Sequence, residues 1–413
     1  MSSLADRLKA LGVQIGARGL KPQRGQSHGI ESVQPGEVHD TDFGPAFVVQ
    51  HFLPAEQAYG HGPLRFPANL DKVAAWSQDT RIALLPAERF LFLDTETTGM
   101  WGSGTLAFLV GIGRFVEGGF QQTQFFLREP IEERAMLDIV QRSVNNQDAL
   151  VSFNGKSFDV PLLRGRYLSN GMQHPFGQLP HVDLLHLARR LWRELLPSRA
   201  LGDLEVSLLG VVREEHEDAP GWMVPQLYMD YLHTGDARPL AKVFHHNHMD
   251  VLSLAALLEH LANKLAAPLE VSDQHSELHA IGRLYADTGF AEEAIDVFQS
   301  TLQMDLPVES KRRLQESLAT LFRRRGDYEA ALQLWEQAAG EGYIYAHVEI
   351  AKYYEHRAGD LQLALQYTQH ALVLISKPEQ LQQEQTYWQP LLTHRQARLE
   401  RKLARRHPAG KSI

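Results

Sequence analysis

Four consecutive apolar residues, Phe90-Leu-Phe-Leu, run straight into Asp94-Thr-Glu96-Thr-Thr-Gly99. The run reads as a short strand, and because strand side chains alternate between faces, positions 94 and 96 project from the same side. Two carboxylates so close repel one another unless a cation joins them, and hard oxygen ligands suit Mg²⁺ or Mn²⁺. A bare Asp-x-Glu would read as solvated acids at a strand end. The apolar strand in front and Thr-Thr-Gly behind weigh against that and toward a cation site carried by a sheet.

Two further segments supply acids. Ser152-Phe-Asn154-Gly-Lys156-Ser-Phe158-Asp159-Val-Pro161 delivers Asp159 after a strand and a turn, just ahead of an apolar helix. Taken alone, an Asp two places before Pro161 is a good helix start. Val243-Phe-His245-His246-Asn247-His248-Met-Asp250 opens a second apolar helix. If it is helical throughout, His246 and Asp250 stand at i and i+4 on one face while His245 points elsewhere. The histidines could be read as a zinc site, but the chain has no cysteine and an Asp falls in step with them. The same absence removes disulfides, thiol nucleophiles and iron–sulfur ligands, so any metal must rest on carboxylates or histidines.

The acidic strand is the first of three short apolar runs. Leu106-Ala-Phe-Leu-Val-Gly-Ile-Gly and Gln124-Phe-Phe-Leu follow it across Gly-rich turns, which predicts three antiparallel strands. A helix from Glu132 to Val144, a strand at Ala149-Leu-Val-Ser-Phe, a helix through Leu162 to Leu168 and Val182-Asp-Leu-Leu-His-Leu extend them by crossovers into a mixed sheet. The order resembles an α/β ribonuclease H-like fold, closed by a helix from Met249 to Leu265. Upstream, Leu4, Leu8, Leu11 and Val13 are spaced as a short amphipathic helix, and Gly16 to Gly36 is loop-like. Between 43 and 75, apolar runs broken by Pro and Gly, including Tyr59-Gly-His-Gly-Pro, read as small strands or a clasp.

Beyond Pro268 no strand pattern is evident and an internal repeat begins. Gly289-Phe-Ala-Glu-Glu-Ala294, Gly326-Asp-Tyr-Glu-Ala-Ala331 and Gly359-Asp-Leu-Gln-Leu-Ala364 place a Gly five residues before an Ala at intervals of 37 and 33 residues. Those intervals bracket the tetratricopeptide period, in which the Gly ends one helix and the Ala fits where two helices approach closely. Phe298, Trp335 and Thr368 follow four places after each Ala, with Thr368 the weak member. The domains expected are therefore 1–80 (leader helix, loop and small strands), 81–268 (ribonuclease H-like), 274–376 (all-α tetratricopeptide-like repeats) and 377–413 (basic C-terminal helix or tail). A length of 413 residues accommodates these at roughly 100–200 residues per domain.

In this order, the motifs resemble the DEDD superfamily of 3′ to 5′ exonucleases, and more narrowly the YprB-like ribonuclease H-like proteins that carry C-terminal tetratricopeptide repeats. The narrower likeness also rests on Leu204-Glu205 through Pro220-Gly221, Pro225, Tyr228, Tyr231-Leu, Thr234-Gly235-Asp236 and His246-Asn247-x-x-Asp250. The resemblance implies that Asp94, Glu96, Asp159 and Asp250 hold two divalent cations, Mg²⁺ or Mn²⁺. It implies a general-base histidine five or four residues before the last Asp. His245 and His246 occupy both places; His246 is favoured because it aligns with the His-Asn pair and shares a face with Asp250.

The activity implied is hydrolysis at the 3′ end of DNA, beside a superfamily 2 helicase in DNA repair, with the repeats binding a protein partner. The alternatives are a 3′ exonuclease acting on RNA and a non-catalytic repeat scaffold with a degenerate nuclease domain. A frayed strand needs stacking faces and phosphate donors, so Thr97, Trp101, Phe108, Phe153, Asn154, Lys156 and Phe158 are candidate contacts, the phenylalanines also being natural core residues. Asp183, near the same edge as His181, reads as structural. Lys311-Arg-Arg313, Arg323-Arg-Arg325 and the basic tail either guide nucleic acid or form solvated helix faces.

Charge stands against this reading at first sight. The formal net charge is −9, whereas binding to phosphate wants surplus Lys and Arg. Residues 81–270, however, hold 17 Lys and Arg against 23 Asp and Glu, and two divalent cations would offset four of those negative charges. No signal-peptide core and no run of ~20 apolar residues is present, so a cytoplasmic protein without a membrane partner is expected.

Overall fold

The computed structural model describes residues 28–99, 104–214, 216–377 and 382–406. The leader helix expected near residues 4–14 and Trp101 lie outside them. The chain divides into two units. One is the chain up to Ala188 with Ser198–Ala262; the other is Arg189–Pro197 with the chain from Asn263 onward.

The first unit is built on a seven-stranded mixed sheet. Its strands are β1 (Glu37–Thr41), β2 (Gly44–Pro54), β5 (Phe90–Thr97), β6 (Ala107–Val116), β7 (Gly119–Phe126), β8 (Ala149–Ser152) and β9 (His181–Asp183), in the spatial order β1-β2-β7-β6-β5-β8-β9. A separate two-stranded hairpin, β3 (Ala58–Tyr59) with β4 (Gly62–Pro63), interrupts the sequence between them. The pairs from β1 to β5 are antiparallel, while β8 joins β5 and β9 joins β8 in parallel. Five strands thus form the antiparallel part, not three. Residues 37–54 are the edge of this sheet, so the boundary expected at residue 80 does not separate them from it. Pairing of β2 with β7 joins segments some seventy residues apart, and local periodicity carries no trace of such a partner.

Four of the unit's helices position the site and its surroundings: α1 (Glu133–Arg142), α2 (Asp159–Ser169), α3 (Val224–Thr234) and α4 (Ala241–Ala266). The core between sheet and helices is aromatic, and Phe108 belongs to it. This ring is fully buried and lies parallel to Tyr228 with centroids 4.0 Å apart. Phe108 is therefore a packing residue, not a surface for a base. The helix expected from Met249 begins at Ala241, so the His-Asn pair and Asp250 lie on one continuous α4.

The second unit is all-helical. Its successive helices are His275–Thr288, Ala291–Thr301, Val308–Arg325, Tyr328–Gly340, Ile344–Tyr353, Leu361–Ile375 and Gln382–Arg406. Gly289, Gly326 and Gly359 take φ of +94°, +84° and +74° as the left-handed residue that ends a helix. Asp327 and Asp360, each following such a Gly, accept from backbone N–H groups at the start of the next helix. Ala294, Ala331 and Ala364 are fully buried. Thr368 replaces an aromatic residue yet is also buried, its hydroxyl donating to the Ala364 carbonyl at 2.8 Å.

Candidate active site

β5 carries Asp94 and Glu96 on one face, and an irregularity in its pairing with β6 falls between Glu96 and Thr97. The neighbouring β6 residue opposite Asp94 is Gly111. A Cβ there would stand 2.3 Å from the Asn247 side chain, so only glycine lets α4 approach this closely. Asn247 uses the space: its Nδ2 donates to Asp94 Oδ2 at 2.8 Å while its Oδ1 accepts from Gln124 Nε2 at 2.9 Å. Gln122 and Gln124 of β7 also donate to the Asn247 and Phe244 carbonyls. These bonds lock the rotation of α4 and with it the position of Asp250.

Asp159 reaches the same place from the turn after β8. Asn154 adopts φ +67°, and the backbone N–H groups of Asn154, Lys156 and Leu185 all donate to the Asp183 carboxylate. Asp183 is thus the buried template that shapes the turn delivering Asp159. Thr95 Oγ1 donates to Asp159 Oδ1 at 2.5 Å. His181 packs behind the turn with its Nε2 2.7 Å from Ser152 Oγ.

The electrostatics record the convergence of the four acids. Burial, then the charges of Asp250, Glu96 and Asp159, push Asp94 well above the usual carboxylate range. Burial raises Glu96 to about 8 despite the pull of His246, and raises Asp159 to about 6 despite the Thr95 hydrogen bond. Carboxylates held together against their own repulsion are where a divalent cation lowers the energy most. The donor set is hard oxygen without sulfur, so it fits Mg²⁺ or Mn²⁺.

The structure separates the two histidines. His246 Nδ1 lies 2.8 Å from Asp218 Oδ1 and Nε2 lies 3.7 Å from Asp250 Oδ2. Burial disfavours its charge, but the Asp218 hydrogen bond and the fields of Asp250 and Glu96 outweigh it and raise His246 to about 10. His245, one position round the helix, adds its field to His248, whose ring lies 4.5 Å from that of His51.

Sequence reasoning gave no role to Arg213, Asp218 or Asn247, and only quoted Glu205. The Arg213 guanidinium spans the site: it donates to both oxygens of Glu205 and to Asp250 Oδ1, with Asp218 Oδ2 at 3.5 Å. Its Nη1 is 3.2 Å from His246 Nδ1; with the Nδ1 proton given to Asp218, that contact is a neighbour, not a second hydrogen bond. Glu205 is buried and also accepts from Ser253 Oγ, which in turn meets Tyr59 Oη at 2.6 Å. The clasp around Tyr59 thereby braces the network. One signal was available: a charged Glu and Arg eight residues apart in the stretch already quoted for the narrower likeness.

The remaining contact candidates differ in availability. Thr97 is buried, its hydroxyl donating to its own chain at the Gly99 carbonyl. Asn154 and Lys156 are exposed, and Phe153 and Phe158 are half-buried. The basic triplets are engaged within the helical unit. Lys311 pairs with Glu341, Arg312 and Arg313 with Glu309, Arg323 with Glu349, Arg324 with Asp287 and Arg325 with Glu292. In the last helix, Arg395, Arg398 and Lys402 converge on buried Glu355.

Comparison with known proteins places this arrangement. A model of the ribonuclease H superfamily matches residues 91–262, which contain all four acids and both histidines. The YprB protein of Bacillus subtilis (strain 168), described as uncharacterized, is 32% identical over 326 residues, spanning 76% of this chain and 78% of its own. A family B DNA polymerase from the hyperthermophilic archaeon Pyrobaculum calidifontis aligns over 59% of this chain at 18% identity and a TM-score of 0.34; the chain spans 34% of that polymerase.

Proposed function

This chain belongs to the YprB family of ribonuclease H-like proteins, and from that premise we propose that it is a metal-dependent 3′ to 5′ exonuclease of the DEDD type. The observation that carries the proposal is the gathering of Asp94, Glu96, Asp159 and Asp250 from three separate elements, where burial and then the field of Asp250 and its neighbours hold Asp94, Glu96 and Asp159 above the usual carboxylate range. A non-catalytic scaffold would have no use for such repulsion.

In this reading the four acids hold two divalent cations, Mg²⁺ or Mn²⁺, which when bound supply a water-derived nucleophile and neutralise charge on the phosphate. His246 is the base that accepts the water proton at Nε2, and Asp218 fixes its tautomer through Nδ1. A histidine raised to about 10 is charged at neutral pH, so it serves as a base only once the acids around it are neutralised. Asn154, Lys156 and Phe158 stand on the Asp159 turn where a terminal nucleotide would be gripped. DNA is the favoured polymer and RNA the alternative.

The Gly-ended helices and buried alanines of the second unit support a tetratricopeptide-like array that binds a protein partner, for which a helicase supplying single strands is the fitting class. Among the described residues no helix is long and apolar enough to cross a membrane.

The test uses end-labelled single-stranded DNA and RNA with Mn²⁺, Mg²⁺ or EDTA. A ladder shortening stepwise from the 3′ end, lost with EDTA and lost by at least about 10²-fold in Asp94→Ala, is expected. Cleavage of a closed circle, or undiminished degradation by Asp94→Ala, overturns the proposal.

A further inference from the structure

Beside the turn that delivers Asp159 runs an open cavity of about 880 Å³. It is walled by α2 on one side and by residues 174–181 on the other, and it begins at Lys156 and Val160, the latter adjacent to Asp159 itself. Its lining includes Lys156, Arg164 and His174 beside Val160, Pro161 and Leu168, and not one Asp or Glu. That composition is unusual here, since residues 81–270 carry six more acidic than basic residues.

The two cations are also uncommitted. Arg166, two residues along the same helix, is turned inward onto Glu133 at 2.6 Å. Arg164 and Lys156 are exposed and form no ion pair among the described residues. Leu168, one turn beyond Arg164, is 62% exposed, an apolar side chain held at the surface beside a charged one. The position following Arg164 is Gly165, and a Cβ built there would meet nothing within 4 Å, so the groove is open at that point.

We propose that this groove holds the single-stranded nucleic acid leading away from the acidic site, its phosphates on Lys156 and Arg164 and its bases against the exposed apolar side chains of Pro161 and Leu168. Cations and apolar faces side by side are the two elements of single-strand recognition, the first following the backbone and the second accepting any base. The volume lies within the range of about 300–1,000 Å³ for ligand clefts, room for a few nucleotides of one strand and not for a duplex. The inference rests on the nuclease reading for direction, because Lys156 and Val160 of the lining flank Asp159 in the chain. It adds a track beyond the terminal nucleotide and a residue, Arg164, that controls grip on longer strands.

The experiment measures binding apart from hydrolysis. The full chain, with Mn²⁺, is titrated against fluorescent phosphorothioate oligothymidylate of about twelve nucleotides, matching the site sizes of about 4–16 nucleotides for single-strand grooves, and against a dinucleotide. Wild-type protein should bind the longer strand more tightly. Arg164→Glu should weaken that binding about tenfold and lower the salt slope by about 0.7, the value for one lost phosphate contact on a single strand. Leu168→Glu, a second exposed position, should weaken it in the same direction.

Equal affinity and equal salt slope in Arg164→Glu and wild type overturn the groove while leaving the nuclease reading intact. So does displacement of the strand by an equimolar polyglutamate peptide, which would make the groove a seat for an acidic protein segment. Length-dependent binding through Arg164 by a wild-type protein that degrades no strand with either cation overturns the nuclease reading and leaves the groove standing.

Discussion

At the scale of single residues, the consequence of packing four acids together is that the cation-free site holds protons. Glu96 sits at about 8 and is largely protonated at neutral pH, burial pushes Asp94 in the same direction, and His246 at about 10 is charged. A divalent cation must displace these protons, and its affinity should therefore rise with pH up to about 8. Mn²⁺ added to weakly buffered protein is expected to acidify the solution, with a smaller release from Glu96→Gln; a pH-independent affinity without proton release contradicts the arrangement. Glu205 offers a different check. Its buried carboxylate accepts two hydrogen bonds from Arg213; Arg213 keeps Asp250 and Asp218 when it is removed, so the cost is that of lost charged hydrogen bonds, about 1.5–3 kcal/mol. Denaturant titration of Glu205→Ala should show a loss of that order. Asp94 and Glu96 on one face of β5, and Asp250 in step with His246, were legible from spacing because alternation and the helical step are local rules, whereas Asp159 taken alone read as a helix start. Arg213 was not legible, because its role exists only where residues 205, 213, 218, 246 and 250 meet.

At the scale of elements, the last helix shows how a charge run acquires meaning from its neighbour. Residues 377–413 read as a basic C-terminal helix or tail, and within the helix Gln382–Arg406 Arg395, Arg398 and Lys402 point at one carboxylate, Glu355, whose side chain is fully buried. Burial alone would raise Glu355, but the hydrogen bonds from Lys402 and Arg398 outweigh it and hold it below its ordinary value. A depressed carboxyl contributes stability that is present above its unfolded value near 4.5 and lost as pH falls through the folded value. The helix should therefore loosen first in acid, seen as faster hydrogen exchange across 382–406. Glu355→Ala should reproduce that loosening at neutral pH, costing about 2 kcal/mol for its charged hydrogen bonds; unchanged exchange would count against the cluster. The helix boundaries of this unit were readable because Gly289, Gly326 and Gly359 act locally, through a left-handed conformation that other residues avoid. Strands β1 and β2 were less readable, as their place in the sheet depends on β7.

For the whole molecule, a net charge of −9 and a nucleic-acid substrate are reconciled only if the attraction is localised. The basic triplets of the helical unit are paired with its own acids, so in the proposed function the attraction falls to the acidic site once cations are bound and to the proposed groove at Arg164. Binding of single-stranded DNA should thus weaken markedly when EDTA removes the cations, measured by fluorescence anisotropy at fixed ionic strength. Equal binding by metal-free protein would move the grip to the helical unit. What the sequence by itself determined is what neighbours along the chain decide: two acids on one strand face, a histidine and an Asp on one helix face, glycine stops, and the absence of any sulfur ligand. Only the tertiary structure decided which of two adjacent histidines meets Asp218, that Gly111 admits Asn247 to Asp94, that Phe108 is core, and that Arg164 lines an open groove while Arg166 pairs with Glu133. The reason is physical: periodicity assigns a residue to a face of its own element, whereas what that face meets depends on pairings between segments far apart in the chain.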